Sequence, residues 1–331
     1  MSNITISQYP GGFASGVTIR GVPIAMTHPG QIFWVYNGTV LDQGHKNGSN
    51  GNKGTFTAPY ATINYAITQC RANKGDIIFV KPGHTEALAA AGDISCGVAG
   101  VAIIGLGVGS MRPTITLGTL TTASIKVAAA NVTWANFLFV SALAAVATVF
   151  EVATTVIATD LALVDCEFRD GSTALNLVSA LVQGGTTANA LDGLYFYGNT
   201  IVGKKASAVT AATTAVVVTG AMDRAVLSKN VATHRVLLAN TAVLLAMGAN
   251  DLTNVLMDGN MTYRPNTSNN TGELLSSSST ASSGLVTNNI CMSLSANGLV
   301  IPTGTKLGTS RNFAMITGAT DKSALENPAA V

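Results

Sequence analysis

Charge is scarce in this chain. Only 10% of its 331 residues are Asp, Glu, Lys or Arg, against about a quarter in an ordinary soluble domain. The 18 basic and 16 acidic residues nearly cancel, to a formal +2. No basic stripe gathers anywhere, which argues against nucleic acid as the main partner. Aromatic residues are also few, at 6%, which counts against a groove paved with sugar-stacking rings. Cys70, Cys96, Cys166 and Cys291 stand far apart with no CxxC pair. Two disulfides are arithmetically open, but a chain of this length needs no staples, and free core thiols are the expectation. His28, His45, His84 and His234 show no metal spacing, so no metal and no cofactor is expected. The opening MSNITISQYPGG has neither a basic start nor an apolar run, so no signal peptide is visible and cytosolic synthesis is expected.

Apolar residues, by contrast, make up 47% of the chain, enough to bury a core and to exclude disorder. Ala, Thr, Gly, Ser and Asn are abundant, giving a neutral surface of small side chains suited to packing against copies of itself. Residues 132–150, VTWANFLFVSALAAVATVF, hold nineteen positions without a charge, long enough to span a bilayer. The segment sits inside the repeat described next and has no flanking basic cluster, so a buried solenoid rung is expected and no membrane partner.

The repeat appears when WANF, CEF, GNTI, KNVA, GNMT and NNIC are aligned on Asn136, Glu167, Asn199, Asn230, Asn260 and Asn289. Successive markers are 31, 32, 31, 30 and 29 residues apart. Such a period denotes a stacked solenoid, and its units, rich in Val, Ile, Leu and Thr without long helical periodicity, are strand-based. Each rung is expected to carry two or three strands pairing in parallel with their equivalents, with the Asn markers at left-handed bends or stacked in a ladder. Six or seven rungs would give a prism roughly 30 Å long.

Three segments follow. Residues 1–55 read as an irregular anchoring segment with one strand over 31–38 and an exposed loop over 43–54, mobile or ordered by a neighbour. Residues 56–302 read as the β-solenoid, with a capping helix near 60–72 opened at Pro59 and striped by Ile63, Ala66, Ile67 and Cys70. Residues 303–331 lose the period and read as a tail that caps the far end or reaches a neighbour.

The run GTFTAPYATINYAITQCRANKGDIIFVKPGHTEAL resembles the opening of pectate-lyase-like right-handed parallel β-helix proteins, through Pro59–Ile63, Gly75–Asp76 and Pro82–Gly83. His84 stands at the usual aromatic place. GFASGVTIRGVPIAMTHPGQIFWVYNG, VAIIGLGVGSMRPTI and CEFRDGSTALN resemble a group of bacteriophage structural proteins, so the resemblance covers most of residues 10–200. It implies an all-β right-handed parallel β-helix in a phage virion, and a homotrimer.

Candidate chemistry is thin. Gly105–Ser110 imitates a dinucleotide fingerprint, but Ser110 replaces the third glycine and Arg112-Pro113 follows where a helix should begin, so a tight turn is expected. A glycoside hydrolase needs two carboxylates roughly 5–9.5 Å apart. Asp165 and Glu167, on one face of one strand, form the best such pair, and Arg169 and Asp170 follow. Arg169 neutralising its neighbours is the blander alternative. By the marker alignment Asp165 and Asp258 share a place in the rung, three rungs apart and too far for a direct pair. Trp34 and Trp134, flanked by apolar residues, read as core or subunit-interface packing. The expectation is a structural, non-enzymatic virion protein, decorating or cementing the capsid exterior as a trimer against the major capsid protein. The alternative is a tailspike or tail-associated β-helix that binds or cleaves host surface polysaccharide.

Overall fold

A computed structural model describes residues 18–19, 22–23, 30–38, 45–152, 157–172, 174–203, 214–233, 244–247, 250–264, 274–276, 279, 281–293, 306–316 and 324–325. The chain winds as a parallel β-helix of three sheets with ten, ten and seven strands. One middle rung shows the pattern: Thr133–Ala135 in the first sheet, Leu138–Ser141 in the second, Val146–Val152 in the third. Each strand pairs in parallel with its counterparts on both neighbouring rungs, as Trp134 does with Ile103 and Leu163. The apolar run 132–150 is thus a rung, and among the described residues no helix is long and apolar enough to cross a membrane.

Side chains alternate in and out along every strand. The inward set is continuous: Trp134, Phe137, Phe139, Phe150, Phe168 and Phe196 are all fully buried. Phe139, Phe168 and Phe196 form a stacked column, with ring centroids 5.1 and 6.2 Å apart. Trp134 is therefore core, as one of its two expected roles had it. Trp34 points outward and packs edge-on against Phe56 at 4.8 Å.

The solenoid is longer than its clearest repeats. Ile32–Val35 pairs in parallel with Ile77–Val80, so the strand expected within residues 31–38 belongs to the first sheet. At the other end Lys306–Ser310 and Phe313–Ile316 add another rung, which corrects the expectation that the period stops near 302. Ten strands in a sheet make a stack of about 43 Å, not 30. Ala324–Leu325 then closes the second sheet antiparallel.

The capping helix is shorter than expected, Ile63–Gln69, and opens at Thr62, whose hydroxyl accepts from the Tyr65 N–H, rather than at Pro59. Glu86, on the first strand of the second sheet, accepts from the Ile63 N–H at 3.1 Å and meets His84 Nε2 at 3.2 Å. A rung carboxylate thereby satisfies one of the orphan donors at the helix start. The loop expected to be mobile or ordered by a neighbour is held from within, over its described residues: the Lys46 backbone N–H donates to the Thr57 carbonyl, and Asn50 Oδ1 accepts from Ala61 and Thr62. Asp76 fastens cap to solenoid, accepting from the backbone N–H groups of Gln31 and Arg71 and from the Arg71 guanidinium.

Candidate functional site

The corner between first and second sheets is a two-residue turn repeated along the prism. Its first residue is left-handed in rung after rung: Asn136, Asp165, Lys229, Asn288 and Arg311 have φ between 52° and 60°. Gly198 and Gly259 fill the same column at 66° and 62°. Its second residue points inward. From Asn199 onward that residue is Asn, and Asn199, Asn230, Asn260, Asn289 and Asn312 are buried. Each side-chain N–H donates to a strand carbonyl, as Asn260 does to Leu227 at 2.8 Å.

This corrects the alignment at two markers. Strand register places Leu138 opposite Glu167 and Glu167 opposite Thr200, so Cys166 and Phe137, not Glu167 and Asn136, occupy the ladder position. Bend and ladder, expected as alternatives for one residue, belong to adjacent ones. Asp258, in turn, pairs with Ser228 at a strand end, while Asp165 lies in the corner, so the two do not share a place.

The expected carboxylate pair is split by the same shift. Asp165 sits in the left-handed corner and its backbone N–H donates to Tyr197. Glu167 starts the strand Glu167–Asp170 and faces out from the second sheet. Its Oε1 accepts from Arg169 Nε at 2.9 Å, and its Oε2 lies 3.3 Å from Arg112 Nη1. Arg112 reaches from the turn two rungs towards the N-terminus, a partner that spacing along the sequence did not indicate. Asp170 faces inward and accepts from the Leu177 N–H. A carboxylate gripped by two guanidiniums is an ion-pair cluster on a sheet face.

The remaining candidates resolve into structure. Gly109–Met111 is one turn of 3-10 helix, not a phosphate-cradling helix start. Gly105 is a close-approach position, where a Cβ would meet the Asn136 carbonyl oxygen at 2.4 Å. His45 packs edge-on against Phe56, and His84 is buried beneath the capping helix. His28 and His234 lie outside the described residues. Among the described residues no group of three His, Cys, Asp or Glu is placed to hold a metal ion.

What distinguishes the surface is the contrast between sheets. The third sheet turns Ser95, Lys126, Glu151 and Gln183 outward in one register column, which continues as Val217 and Ala246. The first turns out Ile77 and Phe79, Ala102 and Ile104, and further along Tyr195 and Leu285. The second turns out Leu138, Val140, Val231, Met261 and Ile290. Among the described residues, charge interrupts these two faces at Glu167 with Arg169 and at Asp258, each paired within the chain, and at the exposed Lys306 on the last strand of the first sheet. Alternation alone did not separate the sheets, because all three show the same period of two.

Neither a family model nor a curated protein sequence matches the chain. Two solved structures are similar to it. A rhamnogalacturonan lyase is 12% identical over 86% of this chain and 87% of that one, with a TM-score of 0.37. Pectate lyase Pel9A is 12% identical over 88% of this chain and 78% of that one, with a TM-score of 0.41. The expectation that the chain is not an enzyme is corrected here: both similar structures carry the names of polysaccharide lyases, and a fold that hosts enzymes gives no ground for excluding activity. At this identity the likeness bears on the fold alone.

Proposed function

We propose that this β-helix is a structural component of a tailed-phage particle, packing as a trimer on the capsid exterior and holding shell subunits together. The carrying observation is the pair of largely apolar, almost uncharged outer faces on the first and second sheets beside a third whose outward column is polar from Ser95 to Gln183. Buried interfaces are depleted in charge and enriched in Tyr and Met, and Tyr195, Tyr263 and Met261 stand outward on these two faces. The resemblance of residues 10–200 to phage structural proteins supplies the setting. A protein that binds only the assembled shell stabilises it by mass action. The test is copy number in purified particles, by quantitative mass spectrometry against the major capsid protein. Hundreds of copies per particle support the reading; about a dozen would move the protein to the tail, and none would remove the particle from the account.

A second reading is a tail-associated β-helix that binds or cleaves surface polysaccharide. Two observations favour it. Tyr195 and Tyr197 stack nearly parallel, 5.4 Å apart, on the outer face of the first sheet, and tyrosine rings are a common contact for sugars. Around the corner stands the cluster of Arg112, Glu167 and Arg169. Depolymerisation of host polysaccharide, lost in Asp165→Asn or Glu167→Gln, would favour this reading over the first.

A further inference from the structure

We infer that copies of this chain pack side by side with their long axes parallel, the first sheet of one copy against the second sheet of the next. This rests on the self-association proposed above and names its surface. The two apolar faces are different surfaces meeting at one edge, the corner of left-handed residues. A two-fold dimer needs one self-complementary face and leaves the other in water. A head-to-tail contact between two different faces uses both on every copy and closes into a ring when the rotation allows.

Height along the prism fixes which residues meet. Leu285 on the first sheet and Ile290 on the second belong to one rung, separated by the corner residues Asn288 and Asn289, and are 42% and 43% exposed. In a ring whose axis runs along the prism, Leu285 of one copy faces Ile290 of the next at the same level. The faces are large enough to matter. A stack of about 43 Å by strands about 10 Å wide offers on the order of 400 Å² of projected area per face, before side-chain corrugation adds to it. Each contact thus covers about half of the roughly 800 Å² per partner of a standard interface, and a closed ring gives every copy two such contacts. Glu167, Arg169 and Asp258 are paired within the chain, so closing the contact strands none of these, and the exposed Lys306 lies on the last strand of the first sheet, at the end of the stack. The third sheet, with Ser95, Lys126, Glu151 and Gln183 outward, is left facing solvent.

The experiment uses the full chain carrying Leu285→Cys or Ile290→Cys, mixed or alone, with copper phenanthroline and dissolved oxygen as oxidant. The native cysteines are buried and contribute little background. The expected result is a disulfide-linked pair in the mixture, absent from either variant alone. Ile290→Asp should convert the multimer to monomer in sedimentation, while Gln183→Asp on the third sheet leaves it intact. Cross-linking of Leu285→Cys by itself would mean a two-fold contact and overturn the ring while leaving self-association standing. A multimer indifferent to Ile290→Asp and uncross-linked in the mixture would place the interface elsewhere. A monomer at every concentration would overturn both the surface and the self-association proposed above.

Discussion

Asn230 donates its side-chain amide to Oδ1 of Asn260, 30 residues further on, at 2.9 Å. That same oxygen accepts the Asn230 backbone N–H at 3.1 Å. The relationship repeats from Asn260 to Asn289 and from Asn289 to Asn312. Every link is buried, so a missing member leaves polar groups with no route to water.

Asn260→Ala should therefore destabilise more than an ordinary surface change. It orphans the Asn230 backbone N–H and removes the amide donor to Leu227, at roughly 1–3 kcal/mol for each unsatisfied group. The denaturant midpoint should fall with the m-value unchanged. A loss below about 0.5 kcal/mol would mean that the ladder is incidental to stability.

Lys229 holds a left-handed backbone at φ 58° with a β-carbon, whereas Gly259 serves the next rung at 62°. A non-glycine residue there costs about 1–2 kcal/mol. Lys229→Gly should be neutral or stabilising, because its 3.9 Å pair with Asp258 is largely exposed and worth little. Gly259→Ala should be destabilising. Melting temperatures of the two variants should move in opposite directions or, at least, differ by several degrees.

Burial alone would raise the Asp76 pKa, but the Arg71 guanidinium and the backbone N–H groups of Gln31 and Arg71 outweigh it and lower the net value. A depressed folded pKa stabilises above the unfolded value, near 4, and that contribution is lost as pH falls through the folded value. Unfolding midpoints should drop between neutral pH and about pH 3, and Asp76→Asn should flatten the acid limb of that profile. An unchanged slope in the variant would remove Asp76 from the acid response.

Cys70, Cys96 and Cys166 are buried, and burial pushes each thiol up to about 12. The thiolate is the reactive form, so native protein at pH 8 should react with an aromatic disulfide reagent only as it unfolds. Rapid labelling in the absence of denaturant would mean that a rung opens readily.

The repeat, the parallel rungs and the capping helix were legible because they depend on period, β-branched composition and helical spacing. The one-residue phase was not. Asn136 looks like a ladder residue yet is a bend residue, and Cys166 hides the ladder position at the rung where Glu167 drew the eye. Chemistry alone does not separate the two roles: Asn suits a left-handed φ as well as a stacked amide. Asn312 was missed because its rung is short, 23 residues after Asn289. The Arg112 contact to Glu167 spans 55 residues, and only strand register brings those positions onto one face. The difference between apolar and polar sheets was hidden similarly, since each outward column is assembled from one residue in every thirty.

The antiparallel strand Ala324–Leu325 at the end of the second sheet has a consequence for that edge. A stack of parallel strands is its own template, and nothing in its repeat says where to stop. A final strand of reversed polarity presents the alternating spacing of an antiparallel edge, out of phase with any copy arriving end-on. At the second sheet, the edge that a further parallel strand would need is thereby occupied by the polypeptide itself.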